Sequence, residues 1–287
     1  MGEYHIASSV EDALEKLSHC NGRAEIVAGG QTMMLLIRQG LVDPDLLVDI
    51  SKIDEIRGIQ DLGEYIEIGS ATTYAEIKKN SIIKKEFGFY TDATSEISGP
   101  QVRNQGTIGG GLVYGDPALD TPPVLLTLDA ELEIQNSQGC RRISLEDFFV
   151  DYYETAIEEG EILTKILIPI LPQYSGGKYR SVTPRQGDYA IAGVCVRLTL
   201  DIDGVCTTAR IGLTNGGDTP MRSRRAEKIL EGSEIGEGTI EECINVLGED
   251  LDLIGDVQTS KSYKEMVFKR IARQTIKEVK LELVGGV

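Results

Sequence analysis

The chain has 287 residues, enough for two or three compact units with their own cores, and its 46 acidic against 29 basic residues leave a net charge of −17. That balance excludes the basic surface which nucleic acid or an anionic membrane requires, and no apolar run reaches the roughly 18 residues of a membrane span. Met1 to Ser9 does not read as a signal peptide, so the expected compartment is the cytoplasm, while two histidines (His5, His19) and five cysteines without a C-x-x-C pair exclude a histidine triad and a metal or cluster site built from adjacent ligands.

In chain order, Ser9 followed by Asp12 reads as a capping box, and Val10, Ala13, Leu14 and Leu17 recur at helical spacing over 10–19. Ala24 to Thr32 reads AEIVAGGQT, a strand at 24–28 that ends in Gly29 and Gly30 and leads into a helix at 33–39 closed by Gly40. With a strand at 46–50 after Pro44 this makes a small β-α-β unit. Its turn puts backbone amides and the Thr32 hydroxyl at a helix N-terminus, where the dipole favours an anion. Met33, Met34, Leu35, Leu36 and Ile37 are expected in the core.

From Ile53 the segments shorten: Ile56 to Gln60, Tyr65 to Gly69, a helix begun by Thr73 with Glu76 as its capping partner, and 92–98. Thr107 and Ile108 suit an extended backbone, and Gly109, Gly110 and Gly111 then form a tight turn whose bare amides suit a pyrophosphate; a structural bulge or corner is the alternative. Neither glycine turn fits G-x-G-x-x-G or G-x-x-x-x-G-K-[ST], which disfavours a Rossmann fold and a P-loop. Pro122 and Pro123 fit the first turn of a helix running to about Leu128, with Asp120 or Thr121 as its cap.

Residues 131–136 and 141–144 read as a hairpin, Ser144 with Asp147 starts a short helix, 162–168 is a strand ending at Pro169, and 172–177 is a linker. Strands at 178–185, 193–200 and 205–213, the last two turned by Asp203-Gly204, precede helices at 223–231, 238–247 and 262–283. This predicts a three-stranded antiparallel sheet backed by helices. Between its first two strands RQGDYA, at 185–190, reads as a polar connection with Asp188 capping a short turn.

Four of these segments, AGGQT (28–32), QVRNQGTIGG (101–110), DPALD (116–120) and RQGDYA, together resemble the FAD-binding medium subunit of the molybdenum hydroxylases, the family of xanthine dehydrogenase and carbon monoxide dehydrogenase. The resemblance runs nearly end to end. It implies an α+β chain, with a two-part FAD-binding domain of the vanillyl-alcohol-oxidase type over 1–172 (parts at about 1–54 and 55–172) and a C-terminal domain over 178–287. It also implies FAD as cofactor, held by Ile26, Val27, Ala28, Gly29, Gly30, Gln31, Thr32 and Met33, by Thr107, Ile108, Gly109, Gly110 and Gly111, and by Ile97, Asp120, Leu163, Arg180, Asp188 and Tyr189. In that reading Tyr189 meets the isoalloxazine ring and Arg180 lies near its polar edge, although Ile97 and Leu163 also suit a core and Asp120 a cap.

Two departures stand out. Gly111 replaces an asparagine common in the family, and Tyr114 stands where a small residue or histidine is frequent. The resemblance further implies a large partner chain with molybdopterin and a small one with two [2Fe-2S] clusters, in a heterotrimer or a dimer of heterotrimers. Electrons would leave through this chain to an external electron acceptor. The rival readings are a self-contained flavin oxidase and a cofactor-free scaffold of the same fold.

Overall fold

Three short parallel strands, β1 (Glu3–Ile6), β2 (Ala24–Val27) and β3 (Leu46–Asp49), form the first sheet in the order β1-β3-β2 in the computed structural model, which describes residues 2–20, 22–255 and 259–285. The outermost residues of the two predicted domains, 1 and 286–287, lie outside the described residues. Helix α1 (Val10–His19) buries Val10, Ala13 and Leu14, and Ser9 caps it by accepting from the Asp12 amide at 3.1 Å. The predicted capping box stays half made, because the Asp12 carboxylate turns to the Ser8 amide and to His5. Helix α2 (Met33–Arg38) corrects a second expectation: none of its residues is buried. Its apolar run stays partly exposed instead of entering the core.

The second sheet has the order β4-β5-β10-β6-β7, with β4 (Ile59–Asp61), β5 (Tyr65–Gly69), β6 (Glu131–Asn136), β7 (Gly139–Ser144) and β10 (Ile162–Pro169), and its paired strands run antiparallel. Strand β10 is central and buried on both faces, so its residues do not alternate. Helices α3 (Tyr74–Lys79), α4 (Ser81–Glu86), α5 (Gly88–Glu96), α6 (Pro100–Arg103), α7 (Ile108–Tyr114), α8 (Thr121–Thr127) and α9 (Leu145–Phe148) accompany it, and β8 (Phe149–Asp151) and β9 (Glu154–Thr155) make a separate ribbon. The Thr73–Glu76 box is complete, with both reciprocal bonds formed.

The third sheet, β11 (Ser175–Val182), β12 (Ala192–Leu200), β13 (Cys206–Thr214) and β14 (Met221–Arg222), is antiparallel in chain order. It begins within the stretch expected as a linker and gains a two-residue fourth strand. Val194, Val196 and Leu198 of β12 and Ala209, Ile211 and Leu213 of β13 face a core shared with α10 (Arg224–Leu230), α11 (Glu237–Asp250) and α12 (Lys261–Gly285).

The opposite face of that sheet docks on α8, all seven residues of which are buried. Pro122 and Pro123 suit its first turn, where an N–H would lack a partner anyway. The contact is backbone against backbone, since a Cβ on Gly212 would lie 2.3 Å from the Pro123 carbonyl oxygen. Just past the helix, Asp129 takes Arg197 at 2.7 Å, Arg210 at 3.0 Å and Arg222 at 2.9 Å. The Arg197 and Arg222 side chains are only 5% exposed, so the carboxylate neutralises charge that water cannot reach. Asp129→Ala strands Arg197, while Arg222 keeps Glu227 at 2.7 Å, and urea denaturation at unchanged m should show a loss of about 3–5 kcal/mol.

Candidate functional site

A cleft of about 660 Å³ opens where the β2–α2 turn, the start of α7 and the 185–190 loop converge. The two glycine segments meet across one wall. A Cβ on Gly29 would come within 2.0 Å of the Gln105 carbonyl oxygen, and the Gln31 side-chain amide donates to the Gln105 side chain at 2.8 Å. Gly30 has φ +67°, a left-handed conformation that glycine adopts without strain. Among the described residues, the amides of Gly29, Gly30, Gln31, Thr32 and Met33 donate to no protein acceptor. Five successive free donors at the start of a helix form a nest for an anion.

The second glycine run is built differently from the expectation. Thr107 is extended, but Ile108 to Tyr114 is helical and none of the three glycines has positive φ. Its first amides are already taken: Ile108 donates to Thr72, Gly109 to Ser70, Gly110 to the Thr107 hydroxyl and Gly111 to the Thr107 carbonyl. The glycines answer to crowding instead. A Cβ on Gly109 would lie 2.6 Å from the Ser70 Cβ, and one on Gly111 would lie 2.1 Å from the Tyr74 hydroxyl. Tyr74 therefore occupies the space that an asparagine at 111 would need. Of the three, Gly110 looks into the cleft with least in its way, Thr107 Oγ1 at 3.0 Å being the nearest atom.

Of the predicted residues, Ile26, Val27, Ala28, Gly29, Gly30, Gln31, Thr32, Met33, Ile97, Thr107, Gly110, Gly111, Asp120, Asp188 and Tyr189 line this cleft. Four do not. Ile108 is sealed in the core of the second sheet, and Gly109 and Leu163 border a smaller cavity behind α7. Arg180, expected near the ring's polar edge, is not among the lining residues: strand alternation turns it towards α12, where it binds Glu278 at 2.6 Å. Its neighbour Tyr179 takes the opposite face.

Asp120 does not cap α8; its Oδ1 accepts from the Tyr179 hydroxyl at 2.5 Å. Burial pushes this carboxyl up to about 6, the Tyr179 hydrogen bond works against that rise, and the charge of Glu96 adds to it. Burial likewise pushes the Tyr74 phenol up to about 12. The mouth of the cleft is aromatic: Tyr114 and Tyr153 pack edge to face at 4.9 Å, and Tyr152 continues the cluster at 4.5 Å from Tyr153. Tyr189 stands 59% exposed beside them. Tyr74, Tyr153 and Tyr179 were not legible as site residues, since only the fold brings them to the cleft or to Asp120. Tyr114 was visible as a departure from the family pattern.

Residues 1–171 match the family model described as the FAD binding domain in molybdopterin dehydrogenase, and residues 177–279 match the CO dehydrogenase flavoprotein C-terminal domain. The chain belongs to the FAD-binding medium subunits of the molybdenum hydroxylases. Among similar proteins, the 6-hydroxypseudooxynicotine dehydrogenase complex subunit alpha of Paenarthrobacter nicotinovorans is 35% identical, covering 96% of this chain and 93% of its own. The carbon monoxide dehydrogenase medium chain of Afipia carboxidovorans is 34% identical over 84% of each chain. Solved structures of reconstituted CO dehydrogenase from Oligotropha carboxidovorans (TM-score 0.93, 30% identity, 98% of each chain) and of quinoline 2-oxidoreductase from Pseudomonas putida 86 (TM-score 0.92, 28% identity, 99% of this chain and 98% of that one) share the fold.

Two variants of this medium subunit separate its cleft from its frame. Gly110→Val places a side chain into the cleft without striking backbone. It should keep the melting temperature of the flavin-free wild type and purify without FAD, whereas a full flavin complement would put the phosphates elsewhere. Glu278→Gln tests the frame, because Arg180 first, then Lys178 and Gln274, hold the Glu278 carboxyl down to about 2. A depressed carboxyl stabilises the fold above its ordinary value of 4.5, and the contribution is lost as pH falls through about 2. The variant should melt below wild type at pH 7 with unchanged FAD content, and the gap should close in acid.

Proposed function

We propose that this chain is the electron-transfer flavoprotein of a molybdopterin-dependent hydroxylase. It holds FAD in the cleft, takes electrons from two [2Fe-2S] clusters on a small partner, and releases them to an external acceptor. A large partner carries molybdopterin and the substrate, in a heterotrimer or a dimer of such trimers. The observation that carries this reading is the row of amides from Gly29 to Met33 that are free among the described residues, at a cleft whose described lining contains no lysine or arginine. Such a surface suits a pyrophosphate bound by backbone and dipole, which is what a dinucleotide cofactor presents.

The other residues divide the remaining tasks. Gln31 and Gln105 tie the two glycine segments together, the bare face of Gly29 lets the Gln105 backbone pack against it, and that of Gly110 keeps the approach open. Bound FAD supplies the exchange between single-electron and two-electron chemistry, while the chain positions it and governs what reaches it. Tyr189 is suited to that gating. It sits at the end of a loop that turns through Gly187 (φ +88°), and it is exposed at the cleft mouth.

Reconstitution with FAD and stopped-flow reoxidation test the proposal. Tyr189→Ala should retain stoichiometric FAD, because the amide nest supplies the anchoring, yet reoxidise at a different rate with oxygen or NAD. Failure of the wild-type chain to bind FAD would overturn the reading. Identical reoxidation rates for both acceptors would return the 185–190 loop to a plain connection.

A further inference from the structure

Asp120 belongs to the FAD-binding unit, but the group that holds it comes from the C-terminal sheet. The residue is 6% exposed and lines the cleft. Oδ1 accepts from Tyr179, whose hydroxyl also lies 3.1 Å from Thr214 Oγ1. Oδ2 meets no protein donor among the described residues and is not sealed from solvent, so it is open to the cleft. Strand β12 is shaped for this arrangement, since a Cβ on Gly193 would fall 2.4 Å from the Tyr179 hydroxyl and 2.8 Å from Thr214 Oγ1.

Among the described residues, those that line the cleft include no cation to hold the carboxylate instead. Tyr74 of α3 and Thr121 of α8 stand on its other side, Gly111 of α7 is bare, and Glu96 of α5 is the charged group that acts on it. Among the described residues no lysine or arginine lines the cleft. The orientation of Asp120 therefore depends on one hydroxyl from another domain.

We propose that Tyr179 is a positioning residue for the cofactor: it clamps Asp120 through one oxygen and presents the other to a hydrogen-bond donor of bound FAD. The inference rests on the FAD reading above and adds a residue to it. The hold of the FAD-binding unit on its cofactor then depends on the docked C-terminal sheet. Asp120 must be ionised to accept through Oδ2, so FAD affinity falls as pH drops through its titration near 6. Tyr179 donates to the ionised form and holds that titration down, so its loss moves the fall to higher pH.

The test is equilibrium titration of the deflavinated full-length chain with FAD between pH 5 and 8, following flavin fluorescence, with wild type, Tyr179→Phe and Asp120→Asn. Wild type should lose affinity in acid, Tyr179→Phe should show the same loss about one pH unit higher, and Asp120→Asn should be flat. Should Tyr179→Phe fail to fold, Thr214→Val removes only the second bond on the hydroxyl and should shift the midpoint in the same direction by less. An unchanged midpoint in the tyrosine or threonine variant, a pH-independent wild type, or persistent pH dependence in Asp120→Asn each overturns the assignment while leaving FAD binding intact. Absence of FAD binding by wild type at every pH overturns the FAD reading, and this inference with it.

Discussion

The close approach of the Pro123 carbonyl to Gly212 is the constraint on which the rest of the molecule depends. It lets α8 lie directly on the C-terminal sheet and bury all of its residues. Val124, Leu125 and Leu126 alone contribute roughly 5–9 kcal/mol of apolar burial. Both ends of this short helix are then put to use. Its N-terminus carries Asp120 to the cleft and to Tyr179, and the residue after its C-terminal turn, Asp129, collects three arginines from the sheet. One buried helix thus fixes the sheet's position relative to the cleft, and a methyl group at position 212 would disturb both ends together.

Much of the architecture is legible along the chain because its signals are local. The strand, turn and helix around AGGQT follow from an apolar run, two glycines and a second apolar run. The Thr73–Glu76 box, the Pro122–Pro123 helix start and the 131–144 hairpin follow from their own residue types. The glycine run at 109–111 is not legible in this way. Each glycine disfavours a helix by about 1 kcal/mol relative to alanine, so local propensity argues for a turn. The helix forms because the Thr107 cap and the crowding of Ser70 and Tyr74 leave room for nothing larger.

The site was legible in part for a related reason. Residues within the two glycine segments reach the cleft through backbone, and backbone position follows from sequence. Arg180 and Tyr179 are neighbours on one strand, and which faces the cleft is decided by the register of β11 against β12 and by which sheet face docks on α8. No local pattern records that parity. Met33 to Ile37 show the converse failure, since apolar composition suggests burial but none of this six-residue helix is buried, and Met33 and Leu36 line the cleft.

The absence of lysine and arginine among the described residues of the cleft lining bears on how fast the cofactor arrives as well as how well it is held. A chain of net charge −17 repels an anionic dinucleotide at long range, and only within the reach of the amide nest does the sign reverse. Added salt screens the repulsion over distances beyond about 10 Å but hardly touches hydrogen bonds inside the cleft. Capture of the cofactor then accelerates with ionic strength while its release does not, so an apoprotein would load faster in a salty compartment without holding its flavin any less firmly.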